Sequence, residues 1–318
     1  MLFRKQPELA VPKSGDGVLR GKTFAGPPLR FPDSFLHICH LYTLLLNWQE
    51  LTCAMSSSSS TPSMSTLAQS LATLMSLGSK VDFIIGIDFG TTYTGVAYAE
   101  AVSREEVKAD SKRIAESIEI FRAWPNPTQD FPDKIPTVLA YSQDPPIWGG
   151  SVRTRDQPQI RHFKLGLQSR MREHYGLTSN SGARSILNFL DPNWVSPVPG
   201  KTAVDFATDY LTCIYKYLHE EAFPRQFGAS YLDGLQIAYV ITVPAIWNDS
   251  AKSLTRQAAE RAGIPHSKLE LITEPEAAAL YCATISKQVD LAVGNRFMVC
   301  DAGGGTVVRR FSRPNLTL

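Results

Sequence analysis

Residues 84–100 read IIGIDFGTTYTGVAYAE, in which two apolar runs flank an aspartate and a Gly-Thr-Thr turn. The runs Phe83–Asp88 and Tyr93–Ala99 predict a β-hairpin, because two short apolar segments joined by a brief glycine-containing loop are typical of paired strands. Asp88 then stands at the end of a buried strand, beside the turn. A carboxylate in that position is a candidate functional residue.

Residues 297–308, FMVCDAGGGTVV, repeat this order with an apolar strand, Asp301, a glycine-rich turn, a threonine and a second apolar run. Glycines let backbone N–H groups approach a phosphate closely, and threonine hydroxyls add donors. Two such hairpins facing each other could clamp a polyphosphate, with Asp88 and Asp301 holding Mg²⁺ through its retained waters. Either motif alone fits an ordinary tight hairpin equally well, so the occurrence of both favours a phosphate site.

Other phosphate-binding signatures are missing from the chain. No G-x-x-x-x-G-K-[ST] sequence occurs, which excludes a P-loop, and no G-x-G-x-x-G opens a helix after a strand. His37 and His40 are the one close histidine pair and lack the further ligands that a metal site needs. The two hairpins are therefore the main candidate for a functional site.

The charge balance excludes several classes of partner. The 32 basic and 30 acidic residues leave a net charge of +2 and are dispersed, so neither nucleic acid nor an anionic membrane is predicted as a partner. The longest apolar stretch, 35–48, is shorter than a membrane-spanning helix. The five cysteines are scattered without a C-x-x-C pair, which predicts reduced thiols and a cytoplasmic location.

The organisation changes near residue 81. Residues 1–80 include the run SSSSSTPSMST and are predicted to be a disordered or low-complexity tail. Beyond them, strands and helices alternate in the manner of an α/β domain. The predicted elements are strands at 117–124, 137–141, 235–243, 269–273 and 296–301, a helix at 204–222, a helix capped by Asn248 or Asp249 and ended by Gly263, and a helix opened by Pro275.

Four segments together resemble the nucleotide-binding domain of the heat-shock 70 kDa family, within the actin-like ATPases. They are the two hairpins, residues 239–264 (YVITVPAIWNDSAKSLTRQAAERAGI) and residues 271–281 (LITEPEAAALY). The segments IWGG and HFKLGL resemble a divergent heat-shock-70-like branch. The implied fold is α/β, a ribonuclease-H-like lobe I at 81–295 with only the first hairpin of lobe II at 296–308, and an irregular tail at 309–318.

The resemblance implies roles for individual residues. Asp88 and Asp301 would orient Mg²⁺ and water, Glu274 would reach the water shell of the metal, and Lys164 would steady the attacking water and the γ-phosphate. The alternatives are a surface lysine for Lys164 and a helix-dipole carboxylate for Glu274. The residues implied to contact phosphate are Gly90, Thr91, Thr92, Tyr93, Gly303, Gly304, Gly305 and Thr306.

The implied activity is Mg-ATP hydrolysis that drives a conformational switch, by in-line attack of water on the γ-phosphate. ATP and ADP would be the ligands, with unfolded polypeptides or co-chaperones as partners of a full-length form. Because RRFSRPNLTL replaces a second lobe, the chain is expected to be a truncated product with little turnover and a bare strand edge at 296–308. A non-hydrolysing interaction scaffold and a sugar or acetate kinase of the same superfamily are the alternatives.

Overall fold

The computed structural model describes residues 81–101, 117–127, 132–168 and 196–278, together with the backbone of four strands at 2–5, 29–30, 297–302 and 307–312. The strands are β1 Leu2–Lys5, β2 Leu29–Arg30, β3 Phe83–Phe89, β4 Tyr93–Glu100, β5 Glu119–Ile120, β6 Lys134–Pro136, β7 Val138–Ala140, β8 Ile147–Trp148, β9 Gln159–Arg161, β10 Ile237–Val243, β11 Leu269–Thr273, β12 Phe297–Ala302 and β13 Val307–Ser312.

A mixed six-stranded sheet forms the centre of the fold. Its order is β11-β10-β3-β4-β5, and β6 pairs with the other end of β4. The hairpin of β3 and β4 is confirmed, with a turn at residues 90–92 that is one residue shorter than predicted. Strands β10 and β11 run parallel to β3, whereas β4 is antiparallel to its neighbours.

Helices cover one face of this sheet. They are α1 Ala203–Lys216, which continues through a π-helical turn at Tyr217–Ala222 into α2 Phe223–Phe227, and α3 Asp249–Arg261. Alternate residues of β3 enter the core beneath them, because side chains on a strand alternate between faces. The core residues from β3 are Phe83, Ile85, Ile87 and Phe89.

The helix ends follow from capping. Thr202 and Asp205 form a capping box at the start of α1, in which each side chain accepts a hydrogen bond from the backbone N–H of the other. Asn248, rather than Asp249, caps α3, since its side chain accepts from the backbone N–H of Ala251 at 2.9 Å. Gly263 follows with φ of 110°, a value that glycine adopts readily.

Part of the predicted strand at 117–124 is not a strand. Only Glu119 and Ile120 pair with β4. Phe121 and Trp124 instead meet edge to face, with ring centroids 4.6 Å apart, and are buried in the core. Aromatic residues have high strand propensity but also fill cores, which is why the sequence pattern overextended this strand.

Three short strands that follow the first hairpin, β6, β8 and β9, were not predicted. Strand β6 pairs with β4, and β7, predicted at 137–141, is flanked by β8 and β9 in a separate three-stranded sheet. Strands of two or three residues carry too little alternation to be found from sequence.

The second hairpin lies in a four-stranded sheet of order β13-β12-β1-β2. The strand predicted at 296–301 is confirmed as β12, and β12 and β13 are antiparallel, with Asp301 opposite Val308. The prediction of an unpaired strand edge is wrong for β12. Strand β1 pairs with it from Leu2 to Lys5 and satisfies its backbone hydrogen-bonding groups. Residues 309–312 also belong to β13 and are not irregular.

Several predictions concern residues outside those described. They include His37, His40, the apolar stretch 35–48, most of the tail at 1–80 and the turn residues 303–306. Within the described ranges, none of the helices has the length and apolar character that crossing a bilayer demands. Cys213 is a free thiol, as predicted, and burial raises its pKa to about 12.

Candidate functional site

Asp88 lies near the end of β3, where it is 6% exposed. One carboxylate oxygen accepts a hydrogen bond from Thr242 Oγ1 at 3.2 Å. The other oxygen contacts Lys134 Nζ at 3.4 Å. Because a buried charge is costly without partners, these two groups explain how the fold tolerates a carboxylate at the end of a buried strand.

The turn after Asp88 is built around a glycine. The Gly90 N–H donates to the carbonyl of Asp88 at 2.9 Å, and Thr137 Oγ1 donates to the carbonyl of Gly90 at 2.9 Å. A Cβ atom on Gly90 would lie 2.0 Å from the carbonyl oxygen of Tyr93, so a side chain cannot be accommodated without rebuilding the turn. The Thr137 N–H donates to Thr92 O at 2.8 Å and fixes the turn against the neighbouring chain segment.

Lys164 and Glu274 form a buried ion pair. Their Nζ and Oε1 atoms are 2.8 Å apart, and the two side chains are 3% and 9% exposed. Lys164 Nζ also lies 5.8 Å from the ring centroid of Phe89 and 5.5 Å from that of Trp247, within the range of cation–π attraction. The alternative of a surface lysine for Lys164 is therefore wrong.

The local fold positions both members of this ion pair. Lys164 belongs to the 3₁₀ helix Phe163–Leu167, which follows His162 in a left-handed conformation with φ of 60°. Glu274 begins a helix directly after β11. Sequence reasoning selected each residue separately, but nothing in the sequence indicated that the two side chains contact each other.

A cleft of about 470 Å³ borders the glycine turn, a volume within the usual range of small-molecule sites. Thr91, Thr92 and Tyr93 line one part of it. Burial, together with the nearby charge of Arg161, lowers the pKa of the His162 imidazole in the cleft wall, which favours the neutral ring. Sequence reasoning missed the arginines and the histidine in the lining, Arg153, Arg161 and His162, because dispersed residues of these types form no motif.

The donors and acceptors around the turn suit a magnesium–phosphate ligand. Mg²⁺ prefers carboxylate oxygens and keeps several waters, which matches the Asp88 carboxylate near the end of β3. The turn backbone approaches its surroundings so closely that no Cβ fits at Gly90, the condition for a backbone cradle. Asp301 has the equivalent place on β12, and its side chain and residues 303–306 are outside the described residues, so the second half of the predicted clamp stays a prediction.

Comparisons with known proteins find relatives among the heat shock 70 kDa proteins. A family profile described as Hsp70 protein matches residues 226–308. Human heat shock 70 kDa protein 12A is 26% identical over 239 residues, which cover 71% of this chain and 32% of that protein. Human heat shock 70 kDa protein 12B is 26% identical over 242 residues, covering 72% and 31%.

A chaperone protein from a different kind of organism gives a similar match. The chaperone protein dnaK of Gracilaria tenuistipitata var. liui is 25% identical over 228 residues, which cover 70% of this chain and 31% of that protein. The chain thus spans about a third of the length of these curated relatives. The mixed α/β sheet and the matches support a divergent Hsp70-like nucleotide-binding domain.

Proposed function

We propose that this chain binds ATP and ADP with Mg²⁺ and acts as a chaperone-type ATPase of the heat-shock-70-like kind. The observation that carries the proposal is Asp88, a buried carboxylate held between Lys134 and Thr242 beside a turn in which only glycine fits. The mixed sheet supports the finer assignment of residues 81–295 to a ribonuclease-H-like lobe I. A cytoplasmic location is part of the same proposal.

Each residue would contribute through position and charge. Bound Mg²⁺ would supply charge neutralisation on the phosphates. Asp88 would accept hydrogen bonds from the water shell of the metal, and the backbone N–H groups of Thr91 and Thr92 would donate to phosphate oxygens. Lys164 holds Glu274 at the start of its helix, which fixes the carboxylate for the same water shell.

A second candidate function is a nucleotide-binding scaffold that does not hydrolyse ATP. The burial of Lys164 favours it, because an ammonium 3% exposed and paired with Glu274 has little freedom to steady an attacking water. Binding and hydrolysis are therefore separate parts of the proposal. Unfolded polypeptides and co-chaperones would be partners of the hydrolysing form.

The experiment is equilibrium binding of a fluorescent ATP analogue to the 318-residue chain, followed by phosphate release under the same conditions. We expect saturable binding with Mg²⁺ and a loss of about tenfold or more in Asp88→Asn, since charged interactions are worth about 1.5–3 kcal/mol. Asp209→Asn is the matched control, because Asp209 pairs with Lys201 elsewhere. No saturable binding by the wild type would refute the proposal, and binding without phosphate release would favour the scaffold.

A further inference from the structure

We propose that Lys134 is a built-in cation of the candidate site, which shares Asp88 with Mg²⁺ and gives nucleotide phosphates a positive charge that does not depend on the metal. Neither the motifs of the sequence nor the family resemblance assigns a role to this residue. The inference rests on the proposed function, in which Asp88 faces the metal and the phosphates.

The sheet register explains how Lys134 reaches Asp88. On β4, Gly95 lies opposite Asp88 of β3 on one side and opposite Lys134 of β6 on the other. Residues directly opposite each other in neighbouring strands project from the same face of a sheet. Because Gly95 has no side chain, the lysine crosses the middle strand unobstructed and its Nζ contacts Asp88 Oδ2 at 3.4 Å.

The contact leaves Lys134 able to bind something else. Its side chain is 15% exposed, and its separation from Asp88 is longer than the 2.8 Å of the Lys164–Glu274 pair. An ammonium carries three N–H donors, and among the described residues only the Asp88 carboxylate accepts one from Lys134. The remaining donors can serve phosphate oxygens, for which charged hydrogen bonds are short and strong.

The fixed charge has opposite effects on the two ligands. A metal ion at Asp88 meets a like charge at Lys134, and like charges at close range repel. A nucleotide meets an opposite charge and is attracted even without a metal. Removing the lysine charge should therefore weaken nucleotide binding in the absence of Mg²⁺ and strengthen the binding of a divalent cation in the absence of nucleotide.

The experiment uses the full chain and the Lys134→Met variant. ADP affinity is measured by calorimetry in EDTA and in excess Mg²⁺, and Mn²⁺ affinity without nucleotide is measured by electron paramagnetic resonance. We expect a loss of about tenfold in ADP affinity in EDTA, a smaller loss with Mg²⁺, and several-fold tighter Mn²⁺ binding, because one charged hydrogen bond contributes on the order of tenfold to affinity. Lys134→Arg should keep the ADP affinity in EDTA near that of the wild type.

Lys201→Met is the matched control, because Lys201 also pairs with an aspartate, Asp209, outside the site. The control should change neither ligand affinity. Equal ADP and Mn²⁺ affinities in wild type and Lys134→Met would overturn the inference while leaving the proposed function intact. A wild type that binds no ADP even in excess Mg²⁺ would instead refute the proposed function itself.

Discussion

Two buried or partly buried lysine–carboxylate pairs, Lys164–Glu274 and Lys134–Asp88, differ in ways that separate structure from function. Lys164 and Glu274 are 2.8 Å apart and almost fully buried, and the lysine ammonium lies over the rings of Phe89 and Trp247. Lys134 and Asp88 are 3.4 Å apart, and the lysine is partly exposed. The first pair therefore serves mainly to hold two segments together, whereas the second is placed to exchange partners with a ligand.

The largest expected effect follows from breaking the buried pair. Lys164→Met leaves the Glu274 carboxylate buried without its counter-charge, which costs about 3–5 kcal/mol of stability. The free energy of unfolding in urea is the measurement. The double variant Lys164→Met/Glu274→Met should recover most of the loss, because apolar residues of similar volume often replace a buried ion pair without penalty.

Lys201→Met makes the same change in a partly exposed ion pair, since the Lys201 and Asp209 side chains are 32% and 25% exposed. Its cost should be about 1 kcal/mol or less. If Lys164→Met were no more destabilising than Lys201→Met, the interpretation of the buried pair as a structural contact would be wrong.

Breaking the Lys134–Asp88 pair should destabilise the fold less than breaking the Lys164–Glu274 pair. The loss of stability should also depend on whether Mg²⁺ is present. Lys134→Met leaves Asp88 with its hydrogen bond from Thr242, so the expected loss is about 2 kcal/mol. Added Mg²⁺ should restore part of it, because a cation that binds the folded state stabilises that state. Thermal unfolding with and without Mg²⁺ measures both effects. A loss that Mg²⁺ leaves unchanged would place Lys134 with Lys164 as a structural residue.

The two pairs also show which parts of the site can be predicted from the sequence and which cannot. Asp88 and its turn could be predicted because the signal is local, a carboxylate and a glycine turn within one hairpin. Lys164 and Glu274 could be selected through the resemblance, but their contact joins residues 110 positions apart and has no local signature. Lys134 was missed because its role depends on the register of three strands, with Gly95 between the two charges.

The same limit applies to the second hairpin. Its strands were predicted from the apolar run and the turn residues. Its pairing with β1 could not be predicted, because a four-residue segment near the start of the chain has too little pattern to indicate a strand.

A small effect is expected at Asp205, a carboxylate outside the site. Although burial alone would raise it, hydrogen bonds from Thr202 and Arg261 lower the pKa of Asp205 to about 2, from an ordinary value of 3.8. A depressed pKa means that the charged form stabilises the folded state above pH 3.8, and this contribution disappears as the pH falls through about 2. Asp205→Asn should thus cost about 1 kcal/mol at pH 7, as expected for a capping residue.

Urea unfolding of wild type and Asp205→Asn at several pH values checks this prediction. The difference in stability should shrink as the pH is lowered from 4 towards 2. A difference that stays constant over that range would show that the carboxylate charge contributes nothing, and that only the hydrogen-bonding geometry of the cap matters.

The most direct test of the central claim is the dependence of ADP affinity on Mg²⁺ in wild type and Asp88→Asn, measured by calorimetry with and without EDTA. If Asp88 is the residue through which the metal acts, Mg²⁺ should tighten ADP binding by about tenfold or more in the wild type and hardly at all in the variant. The same Mg²⁺ dependence in both proteins would contradict the account, because the metal would then bind without Asp88.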